Sequence, residues 1–346
     1  MMSANRIALL LADPSPCLRR LVLRELLGRP ADDAEVMELN ELCQEDDLVV
    51  DLLKLQGPDG SWKSGDLPGT APRSRLLTTA QGLMRLGYLG YGIEHPAVKR
   101  AVDYVFSLQN EDGSWPLSDD DQDESKEGYT MMPLQTALPL RGLAMAGCAQ
   151  EARAEKAYTW LLAQRLEDGA WPVGIASGNY GYIAGYRRLA HSRWGCRSHT
   201  TGALICLALH PSLNNGPEAR RALDLLLGRE TREAYALGFE VARLIGAEET
   251  RGFTTYFARF DLAQILDLCW RVGATAEDER VADMVRFVRE QQGDYGLWEY
   301  THQPQASRWV TFDLLRSLSR LDQQTDWLSL EPRTPFRPYL KRERRY

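Results

Sequence analysis

The stretch Leu55–Trp62 reads Leu-Gln-Gly-Pro-Asp-Gly-Ser-Trp, and it returns at residues 108–115 as Leu-Gln-Asn-Glu-Asp-Gly-Ser-Trp. It returns again at residues 164–171 as Gln-Arg-Leu-Glu-Asp-Gly-Ala-Trp, and in weaker form at residues 291–298 as Gln-Gln-Gly-Asp-Tyr-Gly-Leu-Trp. Self-similarity at a spacing of about 50 residues predicts stacked supersecondary units that share one core.

Local chemistry explains each copy. An apolar helix ends at Leu-Gln, and Asp-Gly supplies a turn in which glycine tolerates a positive φ. The tryptophan that follows is large enough to wedge between two neighbouring helices while its indole N–H finds a carbonyl. We therefore interpret the repeated Trp and Gln residues as structural rather than catalytic.

A second pattern, Thr-x-x-x-Leu-x-x-Leu, lies downstream of each turn and begins at Thr79, Thr136, Thr200 and Thr311. Asp261 takes the Thr position in one further copy. Because apolar residues spaced by 4 and 3 share one helical face, the pattern predicts inner helices. These are expected at 74–89, 129–146, 196–209, 258–272 and 307–321. Amphipathic outer helices are expected at 46–56, 95–109, 150–165, 216–229 and 277–292, with no convincing strand.

The two ends of the chain differ from the repeats. Residues 1–45 predict a helical hairpin, similar to a HEAT unit, that is either a sixth pair or a cap on the array. Residues 46–325 form the predicted repeat domain, and residues 326–346 a basic tail. We interpret the tail as solvated; the alternative is that the tail or the N-terminal helices bind a protein partner, or that the tail binds anionic lipid.

Composition places the chain among folded globular proteins, since 44% of its 346 residues are hydrophobic and 26% are charged. A net charge of −7 argues against a general nucleic-acid binder. No apolar run reaches membrane-spanning length, and no signal peptide is recognisable. The six cysteines are scattered, as expected of reduced thiols in a cytoplasmic protein.

The Gln-x-x-Asp-Gly-Ser-Trp units at 56–62 and 109–115, each followed by an apolar Thr-containing helix, resemble the prenyltransferase/squalene-oxidase repeat. The resemblance covers residues 46–321 and implies an all-α fold, the α/α toroid of squalene–hopene cyclases, class II diterpene cyclases and protein prenyltransferase β subunits. It further implies that the N-terminal ends of the inner helices converge at one mouth of a cavity. It specifies the fold more closely than the activity.

The acid motif of the cyclases offers a first test of activity. Their protonating Asp lies in Asp-x-Asp-Asp, two residues before the inner-helix Thr. No carboxylate stands at that position here, which is occupied by Leu77, Leu134, Ser198, Arg259 and Trp309. The nearest match, Asp121-Gln122-Asp123-Glu124, lies in a polar loop that we interpret as solvated. The standard cyclase acid is therefore expected to be missing.

The zinc ligands of the prenyltransferases offer a second test. Their Asp-x-Cys becomes Trp194-Gly195-Cys196 here, so the Asp is absent. The pairs Cys196/His199 and Cys206/His210 have spacings that a metal can use, but a structural zinc site needs four ligands. We therefore predict no metal or cofactor, with zinc or magnesium as the alternative.

Polar and aromatic residues near the inner-helix N-termini are the candidate site. His199 is the candidate acid or base, and Asp261 and Asp313 would orient it or stabilise a cation. Trp194, Tyr256 and Trp309 offer π faces, and Arg259 and Arg308 could hold a diphosphate or carboxylate. A structural interpretation is also open. His199 could be a buried core histidine, Asp261 and Asp313 could be acids in the first turn of a helix, and Arg259 and Arg308 could pair with these acids. The Gly/Tyr-rich segment 174–194 is either a binding loop or a surface insertion.

Three functions remain open from the sequence. The first is a terpenoid cyclase- or prenyltransferase-like protein that takes an isoprenoid or other apolar small molecule into the toroid cavity. The second is a non-catalytic module that carries a lipid or peptide there, and the third is a protein-interaction scaffold. A carbohydrate-active enzyme is a further option, with Asp261 and Asp313 as its paired carboxylates.

Overall fold

The computed structural model describes residues 4–67, 74–117, 128–228, 235–249, 252, 255–293, 295–321 and 325–328. Within them, the inner helices are α5 (Arg75–Tyr88), α7 (Pro133–Met145), α9 (Arg197–Leu209), α12 (Leu262–Val272) and α14 (Ser307–Arg320). The outer helices are α4 (Asp47–Lys54), α6 (Pro96–Ser107), α8 (Ala152–Ala163), α10 (Pro217–Leu227) and α13 (Glu279–Glu290). The predicted alternation of inner and outer helices is confirmed, and the fold is an α/α toroid.

The repeated tryptophans join each outer helix to the inner helix that follows it. Each indole Nε1–H donates to a carbonyl ten residues upstream, at 2.6 to 2.8 Å, and each backbone N–H donates to the hydroxyl of the repeated threonine. In the first unit, Trp62 Nε1 donates to Leu52 O and Trp62 N lies 3.1 Å from Thr79 Oγ1. All four tryptophans are at least 98% buried, which confirms their structural role.

Consecutive inner helices pack side by side in the order α5, α7, α9, α12, α14, and an aromatic contact between α14 and α5 closes the ring. At the closure the rings of Tyr88 and Trp309 lie 5.8 Å apart, between centroids. α5, α7 and α9 are buried almost all round, because they contact both their outer helix and the interior of the ring.

The N-terminal hairpin packs across this closure. It contains α1 (Ala4–Leu11), α2 (Pro16–Leu21), a π-helical turn (Val22–Leu26) and α3 (Ala34–Leu42). Arg308 of α14 pairs with Asp13 at 3.2 Å, Arg320 pairs with Glu25, and Arg20 donates to the carbonyl of Leu89 beyond α5. The hairpin therefore bridges the first and last inner helices; its boundary at residue 45 stays a prediction.

A short helix that the sequence analysis missed, α11 (Phe239–Leu244), lies inside the ring. All six of its residues are buried, and it contacts α5, α12 and α14. Its Glu240 also pairs with Arg141 of α7. No amphipathic pattern marks such a helix, because every face of it is covered by protein. It fills part of the space that the toroid would otherwise leave open.

The structure corrects the prediction that strands are absent. β1 (Tyr129–Met131), β2 (Ile175–Ala176) and β3 (Asn179–Tyr180) form a small antiparallel sheet, and β4 (Tyr235–Ala236) pairs in parallel with β5 (Phe260–Asp261). Residues 129–132 and 258–261 therefore precede their inner helices instead of beginning them. None of the described helices has the length and apolarity needed to cross a membrane.

Candidate functional site

A cavity of ≈ 340 Å³ lies where the carboxyl-terminal halves of the inner helices meet. One part of its lining is apolar and comprises Met145, Ile205, Leu209, Val241, Leu244 and Leu268. Another part is charged and comprises Arg141, Glu240, Asp267, Arg271, Asp313 and Arg316. Pockets that combine apolar walls with a few convergent polar groups are typical small-molecule sites.

The charged residues of α12 and α14 form one ion-pair cluster. Arg316 pairs with Asp313 one turn before it on α14 and with Asp267 of α12, whose Oδ1 lies 3.3 Å from Nη2. Arg271 Nε lies 2.7 Å from the other oxygen of Asp267. Two carboxylates thus share one guanidinium, and only Asp267 has a second arginine.

This asymmetry separates the two carboxyl groups chemically. Burial raises the pKa of Asp313 to about 6, against the opposing charge of Arg316. Burial acts on Asp267 in the same direction, but Arg271 and Arg316 outweigh it and lower the pKa of that carboxyl. Paired acids whose environments drive their pKa values apart are a common acid–base arrangement in enzymes. Asp313 is therefore the carboxyl that can hold a proton near neutral pH.

The raised pKa of Asp313 predicts a pH-dependent contribution to stability. An unfolded aspartate titrates near pKa ~3.9, so between about pH 4 and pH 6 the folded protein binds a proton that the unfolded chain releases. This contribution to the free energy of unfolding is therefore lost as the pH rises through that window. We expect Asp313→Asn to remove it, so that urea denaturation across this range gives different pH slopes for the variant and the wild type. Asp103→Asn, on the exposed face of α6, is the control; equal slopes for Asp313→Asn and the wild type would contradict the assignment.

A second cluster ties α11 to the ring. Glu240 of α11 pairs with Arg141 of α7 and with Arg243 one turn further along α11. Arg243 Nη1 also donates to the carbonyl of Tyr256 at 2.8 Å. Burial alone would raise the pKa of Glu240, but Arg243 and Arg141 lower it, so the group is a carboxylate. The cavity is thus bounded on this side by a paired, ionised network.

Comparison with known proteins agrees with this architecture. Residues 38–182 match the family model of the squalene-hopene cyclase C-terminal domain. Squalene–hopene cyclase of Zymomonas mobilis is 31% identical over 146 residues, which are 41% of this chain and 21% of that protein. The enzyme of Bradyrhizobium diazoefficiens is 27% identical over 159 residues, 42% of this chain and 23% of that protein.

Over this part of its sequence the chain is similar to the squalene–hopene cyclases. The match spans less than a quarter of the length of these curated relatives. Among solved structures, type II terpene cyclase MstE from Scytonema is similar with a TM-score of 0.34 at 15% identity, covering 78% of this chain and 95% of that one. A variant of MstE bound to geranylgeranyl dihydroxybenzoate gives a TM-score of 0.33 at 15% identity, covering 78% and 94%.

Of the three predicted catalytic residues, only Asp313 lines the cavity. It stands two residues after Thr311, whereas the family acid stands two residues before its threonine. Thr311 is confirmed as the repeated threonine of this unit, since Trp298 N donates to its Oγ1 at 2.9 Å, as in the other repeats. The residue two positions before this threonine is Trp309.

Asp261 caps α12 instead of lining the cavity. Its carboxylate accepts from the backbone N–H groups of Gly238 at 2.8 Å, Glu240 at 2.6 Å and Ala263 at 3.2 Å. Burial raises the pKa of this carboxyl, although the bonds from Glu240 and Gly238 oppose the shift. These contacts favour a role in anchoring α11 over the catalytic role predicted from sequence.

His199 lies at the opposite end of the helices from the cavity. Its Nδ1 accepts from Leu134 N at 3.2 Å, which fixes the proton of the neutral ring on Nε2. Burial, followed by the charge of Arg187, lowers the pKa of His199 to about 3. A ring that remains neutral down to such acidity is a poor proton donor, and these surroundings favour the core-histidine interpretation.

The five predicted substrate-binding residues do not converge on one mouth. Arg308 pairs with Asp13, and the guanidinium of Arg259 lies 4.1 Å above the ring of Phe239. The three aromatic candidates have separate partners. Trp309 contacts Tyr88, and the ring of Trp194 lies 5.7 Å from that of Tyr180. The hydroxyl of Tyr256 donates to Gln81 Oε1 at 2.6 Å. None of the five lines this cavity, and a mouth at the N-terminal ends of the inner helices stays a prediction.

The sequence analysis missed Arg141, Glu240, Asp267, Arg271 and Arg316. A usable signal exists, since four of these charges lie on inner helices whose other residues are mostly buried. Charged side chains in such positions are rare unless they are paired. Both members of the Cys206/His210 pair contact other groups: Cys206 Sγ contacts Ala137 O, and His210 contacts Glu155 at 3.0 Å. Within the described ranges no group of three potential ligands could hold a metal ion.

Proposed function

We propose that this toroid binds an isoprenoid or similar apolar molecule in the cavity and that Asp313 donates a proton to it. The observation that carries the proposal is a carboxyl of pKa about 6 facing a cavity with an apolar wall. The names of the related proteins agree with it, since the curated relatives are squalene–hopene cyclases and the solved neighbours are terpene cyclases.

The size of the cavity limits the ligand. Its volume of ≈ 340 Å³ lies near the lower end of the range for small-molecule sites, about 300–1,000 Å³. α11 occupies space inside the ring that a longer chain would need. We therefore propose a short isoprenoid, of the size of a farnesyl or geranyl chain, rather than a thirty-carbon polyene.

The chemistry proposed for Asp313 is protonation of an alkene. The carboxyl proton and the two π electrons form a new C–H bond, which leaves a carbocation on the neighbouring carbon and a carboxylate on Asp313. Asp267, held ionised by Arg271 and Arg316, adds a second negative charge beside the cation. Electrostatic groups fixed in a site from which water is excluded stabilise developing charge strongly. The Asp313 carboxylate then takes up a proton from a carbon next to the cation; the electrons of that C–H bond form the new double bond, and the acid is restored.

Asp313→Asn tests this step, because the amide keeps the shape of the side chain and removes the acid. Turnover of a short isoprenoid panel is expected to fall by about 10²–10⁴-fold, while ligand affinity changes little. Product formation by gas chromatography and binding by calorimetry are the measurements. Asp103→Asn is the control, and an Asp313→Asn protein that retained wild-type turnover would exclude Asp313 as the acid.

A non-catalytic binding role is the second candidate, favoured by α11 and its ion pairs inside the ring. Native mass spectrometry of the protein purified from its own host separates the two. A co-purifying isoprenoid that the protein does not turn into a product would support the non-catalytic binding role. An isoprenoid that the protein does turn into a product would support catalysis. A protein that carries nothing and ignores the panel would contradict both and favour the scaffold hypothesis.

A protein partner bound by the basic tail stays a proposal, since the tail's arginines lie outside the described residues. The cytoplasmic location is likewise proposed, and so is the absence of a cofactor.

A further inference from the structure

The N-terminal hairpin contains two cysteines that contact each other. Cys17 lies in the first turn of α2 and Cys43 directly follows α3, and neither side chain has any exposed surface. Cys17 Sγ lies 4.0 Å from the carbonyl oxygen of Cys43, and the two thiol groups share a hydrogen bond. Two cysteines that are 26 positions apart in sequence are thus neighbours where α2 packs on α3.

The two thiols of this pair differ in acidity. The hydrogen bond to Cys43 raises the pKa of Cys17, and burial raises it further. The same hydrogen bond lowers the pKa of Cys43, helped by the charge of Arg20 and opposed by burial. Arg20 is itself held by Asn40 Oδ1 and by the carbonyl of Leu89. Because the thiolate is the reactive form of cysteine, Cys43 is suited to attack first and Cys17 to attack second.

Other cysteines of the chain lack this arrangement. Cys206 Sγ contacts the carbonyl of Ala137 at 3.1 Å instead of a second thiol. Burial raises the pKa of three further thiols, those of Cys148, Cys196 and Cys206. Buried thiols with a raised pKa are inert, so an oxidant is expected to react with the pair in the hairpin before it reacts with these three.

A groove of ≈ 720 Å³ lies beside the pair, and Pro16 and Asp46 are part of its lining. Pro16 precedes Cys17 in the chain, and the carboxylate of Asp46 accepts from Cys17 N at 3.2 Å. A peroxide molecule in this groove is therefore close to both thiols, and a local opening of the hairpin would admit it. Such openings need less free energy near the ends of a chain than in its core.

We propose that Cys17 and Cys43 are a modification site at which hydrogen peroxide converts two thiols into a disulfide between α2 and the end of α3. The Cys43 thiolate attacks one peroxide oxygen, so an S–O bond forms, the O–O bond breaks and hydroxide leaves. Cys17 then attacks this sulfur, so the S–S bond forms, the S–O bond breaks and the Cys17 proton leaves with the second oxygen as water. The first hydroxide takes up the proton that Cys43 had released. Two thiols and one peroxide thus give one disulfide and two waters.

The disulfide would act on the closure of the ring, because the hairpin bridges the first and last inner helices. A cross-link restricts the unfolded chain and so favours the folded protein. In a reducing compartment the pair is a dithiol, and oxidation strengthens the closure reversibly. This inference goes beyond the proposed function, since it does not depend on what the cavity binds.

Peroxide treatment of the purified wild-type protein tests the site. Intact mass spectrometry should show the loss of two hydrogen atoms, and peptide mapping without reductant should show Cys17 linked to Cys43. Cys17→Ser should stop at a Cys43 sulfenic acid that dimedone traps, whereas Cys43→Ser should give neither product. Cys148→Ser removes the most exposed of the six thiols, at 8%, and as the control should form the link as fast as the wild type.

Thermal unfolding gives a second measurement on the same samples. The melting temperature of the wild type should rise by a few degrees on oxidation and return on treatment with dithiothreitol. Cys17→Ser should show no such rise.

Three results would overturn the inference. The first is a wild-type protein that keeps all six thiols at a peroxide excess, and the second is a first oxidation product at another cysteine. The third is a link that forms only after denaturation, since the two thiols would then not be neighbours in the native protein. These tests on the wild type decide the question even where a serine variant fails to fold.

Discussion

Replacing Trp171 with alanine is expected to lower the free energy of unfolding by about 3–5 kcal/mol, the range for a fully buried large aromatic residue. Trp171 has no exposed surface, and its indole N–H lies 2.7 Å from the carbonyl of Leu161. Its backbone N–H also lies 3.0 Å from Thr200 Oγ1. The truncation therefore leaves a cavity and an unsatisfied buried carbonyl between α8 and α9.

Urea denaturation followed by circular dichroism measures this loss. Trp194→Ala is the matched control, since Trp194 is 38% exposed and lies on the surface loop before α9. We expect the control to lose much less stability than Trp171→Ala. Similar losses for the two variants would contradict the assignment of the repeated tryptophans as the wedges that hold the helix pairs together.

Replacing Glu240 with alanine is expected to lower the free energy of unfolding by about 3–5 kcal/mol, because it leaves Arg141 and Arg243 buried without a counter-charge. The side chains of these two arginines are 6% and 2% exposed, so water cannot take the place of the carboxylate. We expect α11 to loosen before the rest of the toroid, which hydrogen exchange at residues 239–244 would detect.

An exposed ion pair provides the control for this variant. Lys54 and Asp51 pair at 3.2 Å with 68% and 74% of their side chains exposed. Asp51→Ala should change stability by less than about 0.5 kcal/mol. A Glu240→Ala protein as stable as Asp51→Ala would show that the arginines find other partners, and the network would not hold α11 in the ring.

Much of the fold was predictable because the repeat encodes its own local contacts. The phrase at residues 55–62 contains the helix end, the turn and the wedge in consecutive positions, so each copy specifies one junction without reference to distant residues. The spacing from Trp62 to Thr79 likewise marks where the next inner helix begins. Helix α11 escaped detection because six buried residues carry no periodic pattern.

The site was predictable only in part, for a different reason. Asp313 could be predicted because it lies two residues after Thr311, the threonine of the repeat. Its partners Asp267, Arg271 and Arg316 come from two helices that meet only in the folded ring, and their spacing along the chain gives no sign of the pairing. His199 and Asp261 were chosen for their residue type, whereas burial and backbone contacts decide what they do.

The closure of the ring constrains how the chain can reach its native state. Arg308 and Asp13 are separated by 295 positions, and so are Arg320 and Glu25. On a ribosome, the partners of the N-terminal hairpin are therefore made only when most of the protein has already emerged. Folding rates fall as native contacts become more distant in sequence. Partly folded intermediates of large chains expose apolar surface before these contacts form. The apolar faces of α2 and α5 should consequently be the surfaces that chaperones protect during synthesis.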